Sequence, residues 1–352
     1  MAAHVDEAGA LLTVDDPQKQ WAAVSLWYHL RRPYPDRSFD LVDGKWRYWL
    51  DRPPVDRLEY LIEVTGADGS SALVLDESNP ARVAGVFGDH SVLEFPGYQR
   101  PWWVDDPDAS AHDAAGTRVE LGLPHARGLR RDLPVEVWTP DGVDAAAALP
   151  LLLVHDGEEM DRFAAVTRYA TAMARTGRLP AFRVGLLPPL DRDAWYSASP
   201  AYARSLATTA VPARLDTVPT LGRPVLAGAS LGGLAALHAE WTHPGTFAGL
   251  YLASGSFFGM RYDEQESGHA RFFRISLAVD QVLDARTRWT AAEVVLTCGR
   301  GEENWENNQA MLAALRRAGV SVAFSAFADG HTWVGWRDSL DPALTDLLAA
   351  LW

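Results

Sequence analysis

Ser230 stands in Gly228-Ala229-Ser230-Leu231-Gly232, between the apolar run "RPVLAG" and the stretch "LAALHAEW". A G-x-S-x-G pentapeptide supports chemistry when a strand precedes it and a helix follows, because the sharp turn between them lifts the hydroxyl above a sheet. Both flanks comply: "RPVLAG" is β-type, and Leu234, Leu237 and Trp241 mark the apolar face of a helix. Gly228 and Gly232 let backbone approach the turn, and Gly233 permits close helix packing. The plainer alternative is a small-residue turn that only packs a strand on a helix, so the decision rests on whether the chain supplies partners for the hydroxyl.

A serine hydroxyl is a poor nucleophile until a base takes its proton. Past Trp241, three of the ten histidines remain, His243, His269 and His331. His243 precedes Pro244 at a helix exit and His269 lies in the polar stretch "DEQESGHA", so both read as loop or surface residues. His331 sits in "FADGHTWVGWRDSL", after the apolar strand "VSVAFSAFA" and before a C-terminal helix. A carboxylate is then needed to hold the imidazole in one tautomer and stabilise its protonated form. "EVVLTCGRGEENWENN" places Glu302 and Glu303 directly after a strand, and the order Ser230, Glu302, His331 is that of serine, acid and histidine in hydrolases of this architecture. Glu302 is the expected acid. Glu303 and Glu306 have a second explanation at a helix N-terminus, and Asp329 is too near His331 in sequence to reach the far ring nitrogen easily. For the oxyanion, the Leu231 N–H is one donor and the N–H of Gly157 or Glu158, after the strand in "LLLVHDGEEM", is the second. An ordinary Asp-Gly turn is the alternative reading of that stretch.

These residues need elements to position them. From about residue 20 to 97 apolar residues alternate: Val24, Leu26, Tyr28 and Leu30 fall on one strand face, Leu58, Tyr60, Ile62 and Val64 on another. Asp43-Gly44 and Asp68-Gly69 are hairpin dipeptides, so residues 1–105 read as a β-sandwich. The polar, acidic "VDDPDASAHDAAG" marks a linker over 106–117. Over 118–352, "LPLLLV", "FRVGLL", "PVLAG", "GLYLAS" and "EVVLTC" are continuous apolar strands separated by helical stretches. One such stretch spaces Phe163, Val166, Ala170 and Met173 before Gly177; another spaces Met311, Leu315 and Ala318 before Gly319. Buried strands alternating with helices predict an α/β domain with a mostly parallel sheet covered on both faces.

Composition bounds the partners. The 352 residues carry 32 Lys+Arg against 46 Asp+Glu, a formal charge of −14, and that field opposes phosphate backbones and anionic lipid surfaces, so neither nucleic acid nor membrane is an expected partner. One cysteine, Cys298, cannot form an internal disulfide, and "MAAHVDEAGALLTV" lacks the basic and apolar regions of a signal peptide, which points to the cytoplasm. Metal-ligand spacing of the H-E-x-x-H or paired-cysteine kind is missing, and an activated serine requires no cofactor or metal.

Together these motifs resemble the enterochelin (ferric enterobactin) esterase family, within the esterase D-like α/β hydrolases. The resemblance is carried by "LLLVHDG", by "LAGASLGGLAALHAEWTHPGTFAGLYLASGSF", by "CGRGEENWENNQAMLAALRRAG" and by "DGHTWVGWRDSL". "NPARVAGVFGDHSVLEFPG" is similar to that family's N-terminal immunoglobulin-like domain. The resemblance implies an α/β-hydrolase behind an immunoglobulin-like sandwich, with Ser230 as nucleophile, His331 as base and Glu302 as acid. Its implied substrate is a small-molecule ester, the trilactone of a catecholate siderophore, with iron arriving only as part of that substrate. Family members often carry an arginine followed by a glutamate before the elbow. Here "LDRDAWYSASPAYARSL" keeps Arg192 but has Trp195-Tyr196 at the glutamate's expected place. Of the 14 tryptophans several fall in loops, and Trp195 and Trp333, beside Arg192 and Arg261, would suit an aryl ligand by stacking and cation–π contact. A feruloyl-type carbohydrate esterase or an acyltransferase fits the same residues, because a triad does not specify the acceptor. A non-catalytic binding protein is a third reading, set against the presence of all three catalytic residue types.

Overall fold

The computed structural model describes residues 4–105, 116–123, 129, 132–144, 146–210, 218–260, 263, 266–285, 289 and 292–352. Most of the 106–117 segment therefore lies outside the described residues, and Gly116 and Thr117 already belong to a strand. The chain divides into two compact units. One comprises the residues to Arg100 with Gly299–Trp305 and Phe327–Gly335; the other comprises Pro101–Cys298, Glu306–Ala326 and Trp336–Trp352.

The first unit holds strands β1 (His4–Val5), β2 (Gly9–Asp15), β3 (Trp21–Trp27), β4 (Asp40–Val42), β5 (Lys45–Asp51), β6 (Arg57–Gly66), β7 (Ser71–Val74), β8 (Arg82–Val83) and β9 (His90–Glu94). They form a four-stranded sheet ordered β1-β2-β5-β4 and a second sheet ordered β3-β6-β9-β8, with β7 also on β6. Neighbours pair antiparallel. The period-two pattern explains the packing. Val24 and Leu26 from β3, Leu58, Tyr60, Ile62 and Val64 from β6, and Leu12, Trp46 and Leu50 from the other sheet share one buried core, so the two sheets face each other as a sandwich. Asp43 and Gly44 take φ of 52° and 75° in the β4–β5 turn, the left-handed pair a tight hairpin demands.

The second unit is built on β10 (Gly116–Leu123), β11 (Leu133–Pro140), β12 (Leu151–His155), β13 (Arg183–Leu187), β14 (Val225–Ala229), β15 (Gly249–Ala253), β16 (Glu293–Gly299) and β17 (Val322–Phe327). Among the described residues they form one sheet ordered β10-β11-β13-β12-β14-β15-β16-β17. β10, β11 and β13 pair antiparallel, and β13-β12-β14-β15-β16 are parallel. Every residue of β12, β13, β14 and β15 is buried, as expected of parallel strands covered on both faces. After β12 the chain places β13 on one side of it and β14 on the other. The carboxyl ends of β12 and β14 thus flank the point where strand order reverses, the place where open α/β sheets bind ligands.

One expected helix differs. Phe163 does not share a helix with Val166, Ala170 and Met173; helices span Gly157–Arg162 and Val166–Arg175, with Ala165 between them at φ 53°. The Asp161 carboxylate is the reason. It accepts from the Thr167 N–H at 3.2 Å and from the Thr167 hydroxyl at 2.5 Å, and so starts a second helix.

Candidate active site

The elbow is a steric construction. Ser230 follows β14 directly with φ 55° and ψ −123°, a conformation that favours glycine, and it precedes the helix Leu231–Thr242. The Ser230 N–H donates to the Ala253 carbonyl at 2.9 Å, and its carbonyl accepts from the Ser256 N–H at 3.0 Å, so one side of the strained residue is tied to the end of β15 and the other to the segment after it. Two flanking glycines make room for it, Gly228 strictly and Gly232 more loosely. A Cβ on Gly228 would come within 2.4 Å of the Gly232 backbone, and one on Gly232 within 3.0 Å of His155 Cβ. The Ser230 hydroxyl is half-buried and lies 3.1 Å from the Ser256 hydroxyl.

Ser256 is a site residue that the sequence reading did not name. Its turn is fixed by Asn308, whose side chain accepts from the Gly255 N–H at 3.1 Å and donates to the Gly255 carbonyl at 2.9 Å. The available signal was "LASGSF" directly after a buried strand, but no spacing rule links residue 256 to residue 230.

Leu231 is the first residue of its helix, so its N–H has no acceptor within that helix. The loop after β12 supplies the other expected donors. Asp156 takes φ 52° and ψ 46°, and Gly157 begins a short helix where a Cβ would meet the Leu186 backbone at 2.6 Å. Gly157 is buried and Glu158 exposed. Asp156 sets this loop. Its carboxylate receives two bonds from Arg192, Nε at 2.7 Å and Nη2 at 2.9 Å, while its N–H donates to the Tyr196 hydroxyl at 3.2 Å. Burial alone would lower the Arg192 pKa; the Asp156 carboxylate reverses this and raises it, so the guanidinium stays charged.

Arg192, a candidate for substrate contact in the sequence, is instead engaged by the Asp156 carboxylate of the loop after β12. Trp195 is a clear correction: it is buried and stacks on Tyr202 with ring centroids 5.6 Å apart, so it has no open face for a ligand. Its place on the short helix Arg192–Tyr196 turns it into the core when Arg192 turns to Asp156. Trp333 is half-buried, and Arg261 lies outside the described residues. Trp103, in the 3-10 turn Trp102–Val104, and Trp336, in the helix Trp333–Asp338, are also buried.

His155, before Asp156, is fully buried and packs edge-on to Tyr196 at 4.7 Å. Burial and then the Arg192 charge push its pKa down to about 3, so it is neutral and unsuited to take a proton near neutral pH.

The acid and the imidazole meet in the first unit. His331 Nδ1 is 2.8 Å from Glu302 Oε2, and Glu302 Oε1 accepts from the Gly299 N–H at 2.8 Å. Glu302 is 0% exposed and the His331 side chain 22% exposed, so the carboxylate is hidden behind a ring that retains access. Neighbouring acids face elsewhere. Glu303 lies 3.6 Å from His29 and 3.6 Å from Arg32, and it accepts from the Tyr34 hydroxyl at 3.4 Å. Asp329 faces Arg57 at 3.5 Å.

Among the described residues, no group of three or more His, Cys, Asp or Glu could hold a metal ion, and no helix is long and apolar enough to cross a membrane. A cleft of about 690 Å³, lined in part by Arg118, Glu136, Glu158, Asp161 and Leu190, meets the site residues at Glu158.

A strand–serine–helix elbow on a mostly parallel sheet, beside a sharply turned Asp-Gly loop after the neighbouring strand, defines an α/β-hydrolase. The family model described as "Putative esterase" matches residues 126–347, and the chain belongs to that family. Among solved structures, the enterobactin esterase FES from Shigella flexneri in the presence of enterobactin is similar, with TM-score 0.73, 19% identity, and coverage of 97% of this chain and 93% of that one. The ferric enterobactin esterase from Salmonella typhimurium has TM-score 0.73, 20% identity, and coverage of 97% and 93%. A ferulic acid esterase has TM-score 0.55 and 18% identity, covering 68% of this chain and 99% of that one. At these identities the likeness is one of fold. A comparison with curated proteins finds no match.

Proposed function

We propose that the protein is a serine carboxylic ester hydrolase working through an acyl-enzyme, with Ser230, His331 and Glu302 as its triad. The observation that carries the proposal is Ser230 held at φ 55° on the turn between β14 and its helix, a strained conformation with no packing purpose that a glycine would not serve better. The short contact between His331 Nδ1 and Glu302 adds to it, since it leaves Nε2 as the ring nitrogen for a substrate-side proton.

In this reading His331 Nε2 takes the Ser230 proton as the serine oxygen attacks the ester carbonyl. The carbonyl oxygen becomes an oxyanion held by the Leu231 N–H and by the Gly157 or Glu158 N–H. Collapse breaks the bond to the alcohol, which leaves with the proton from His331. Water then attacks the acyl-Ser230 with the same base, releasing the acid and restoring the serine. Buried Glu302 stabilises the imidazolium in both steps.

For the substrate we propose the ester bonds of a catecholate trilactone. Support comes from the architecture: the enterobactin esterases cover both units, whereas the ferulic acid esterase covers 68% of the chain. With Trp195 buried and Arg192 on Asp156, half-buried Trp333 is the one of the four named candidates that stays among the described residues with a partly open ring. Purified protein incubated with a triscatecholate lactone, a feruloylated sugar ester and an aryl ester, followed by chromatography of the products, tests this. Preferential release of linear catecholoyl-serine fragments is expected. Preferential turnover of the feruloylated sugar would replace the substrate proposal while leaving the chemistry intact.

A further inference from the structure

The segments carrying Glu302 and His331 are held by residues of the sandwich. At the start of β6 two consecutive residues grip the histidine segment: the Asp56 N–H donates to the Ala328 carbonyl at 2.7 Å, and Arg57 Nη1 lies 3.5 Å from Asp329 Oδ2. The same Nη1 donates to Glu59 at 2.8 Å. Asp329 is buried; its Oδ1 accepts from the Gly330 N–H at 2.6 Å, and its carbonyl accepts from the Gly301 N–H at 3.3 Å. The acid segment is held from the same side, with the Arg31 N–H donating to the Gly301 carbonyl at 2.6 Å. Leu30 packs below both, since a Cβ on Gly301 or Gly330 would come within 2.9 or 3.0 Å of its methyl group.

Asp329 is thus a junction. It binds the acid segment through its carbonyl and the sandwich through its carboxylate, and it stands two residues before His331. Arg57 is buried, and the carboxylates of Glu59 and Asp329 outweigh that burial and raise its pKa, so a cation persists there. A buried carboxylate without a cation is expensive, so removing the charge would release Asp329 from its place.

We propose that Arg57 is a positioning residue for His331: by fixing Asp329 it holds the imidazole in register with Glu302, which gives the sandwich a part in catalysis separate from any ligand binding. This rests on the acyl-enzyme reading above. A base displaced by about 1 Å loses roughly 100-fold in rate, and a residue that acts on the base alone changes turnover more than substrate binding.

The test uses the full-length protein with an aryl ester, at a temperature where circular dichroism shows each variant folded. Arg57→Met and Asp329→Asn are each expected to lower kcat by about 10- to 100-fold while KM stays within about twofold. The double variant should be no worse than about the poorer single one, because both break the same link. Arg57→Lys keeps a cation and should recover much of the lost kcat. Asp329→Asn leaves Arg57 paired with Glu59 and serves if Arg57→Met does not fold. Folded single variants with wild-type kcat, or with a change in KM alone, overturn the positioning role. Ser230→Ala in the same assay separates the two ideas: wild-type turnover there overturns the acyl-enzyme reading and this inference with it, whereas an inactive Ser230→Ala beside unaffected Arg57 and Asp329 variants overturns only the role of Arg57.

Discussion

His331 Nδ1 lies 2.8 Å from Glu302 Oε2, and the other oxygen of that carboxylate is occupied by the Gly299 N–H. Glu302 is therefore fixed by its own loop before it fixes the histidine. Glu302→Gln keeps the shape but removes the charge that stabilises an imidazolium, so kcat for an aryl ester should fall by roughly 10²- to 10⁴-fold. Glu303→Gln, whose carboxylate faces His29, Arg32 and Tyr34, should fall by less than about tenfold. Steady-state kinetics of the pair check the assignment, and the reverse order of losses would move the acid to Glu303.

Arg192 and Asp156 form a two-bond pair that sets the loop after β12. Arg192→Met should destabilise by roughly 1.5 kcal/mol, the low end for a charge-assisted hydrogen bond, because the arginine is partly exposed. kcat should drop as well if the Gly157 or Glu158 N–H serves the oxyanion. Arg192→Lys should recover little, because one ammonium cannot copy two parallel N–H bonds. Urea unfolding and kinetics on the same samples measure both effects; a destabilised variant with full kcat would remove the loop from catalysis.

Burial lowers the His155 pKa to about 3, with the Arg192 charge as the second cause. The unfolded chain binds a proton there near pH 6.5 while the folded protein does not, so this group's contribution to stability falls as pH drops from about 6.5 toward about 3. His155→Phe removes that linkage. Urea midpoints at pH 7 and pH 5 should therefore differ less in His155→Phe than in the wild type, and equal differences would contradict the neutral buried imidazole.

Ser230 at φ 55° and ψ −123° stores strain for position. Ser230→Gly should be inactive yet more stable than Ser230→Ala by roughly 1 kcal/mol, because glycine adopts this conformation without the Cβ penalty. Thermal melts of the two variants decide it, and an equally stable alanine variant would mean that the turn is relaxed.

Much of this was legible in the sequence where periodicity carries it. The alternation through Val24, Leu26 and Tyr28 and through Leu58, Tyr60 and Ile62 marks strands because a half-buried strand repeats every two residues, and Gly228 reads correctly because a Cβ there would meet the Gly232 backbone at 2.4 Å. Contacts made by long side chains over long separations were not legible. Asp156 and Arg192 lie 36 residues apart and meet only when β12 and β13 pair, and Arg57 reaches Asp329 only in the folded unit. Adjacent Glu302 and Glu303 have the same chemistry in sequence; the direction each side chain takes from its loop separates them. Trp195 reads as a loop residue beside Arg192 in the sequence, but the short helix that directs Arg192 to Asp156 turns the indole into the core.

The most direct test of the nucleophile is the site of covalent modification by a fluorophosphonate, read by mass spectrometry of the digested protein. The phosphonyl group should sit on the peptide containing Ser230 and be missing from Ser230→Ala. Modification at another residue, or a fully active wild-type protein that takes no label, would contradict an acyl-enzyme on Ser230.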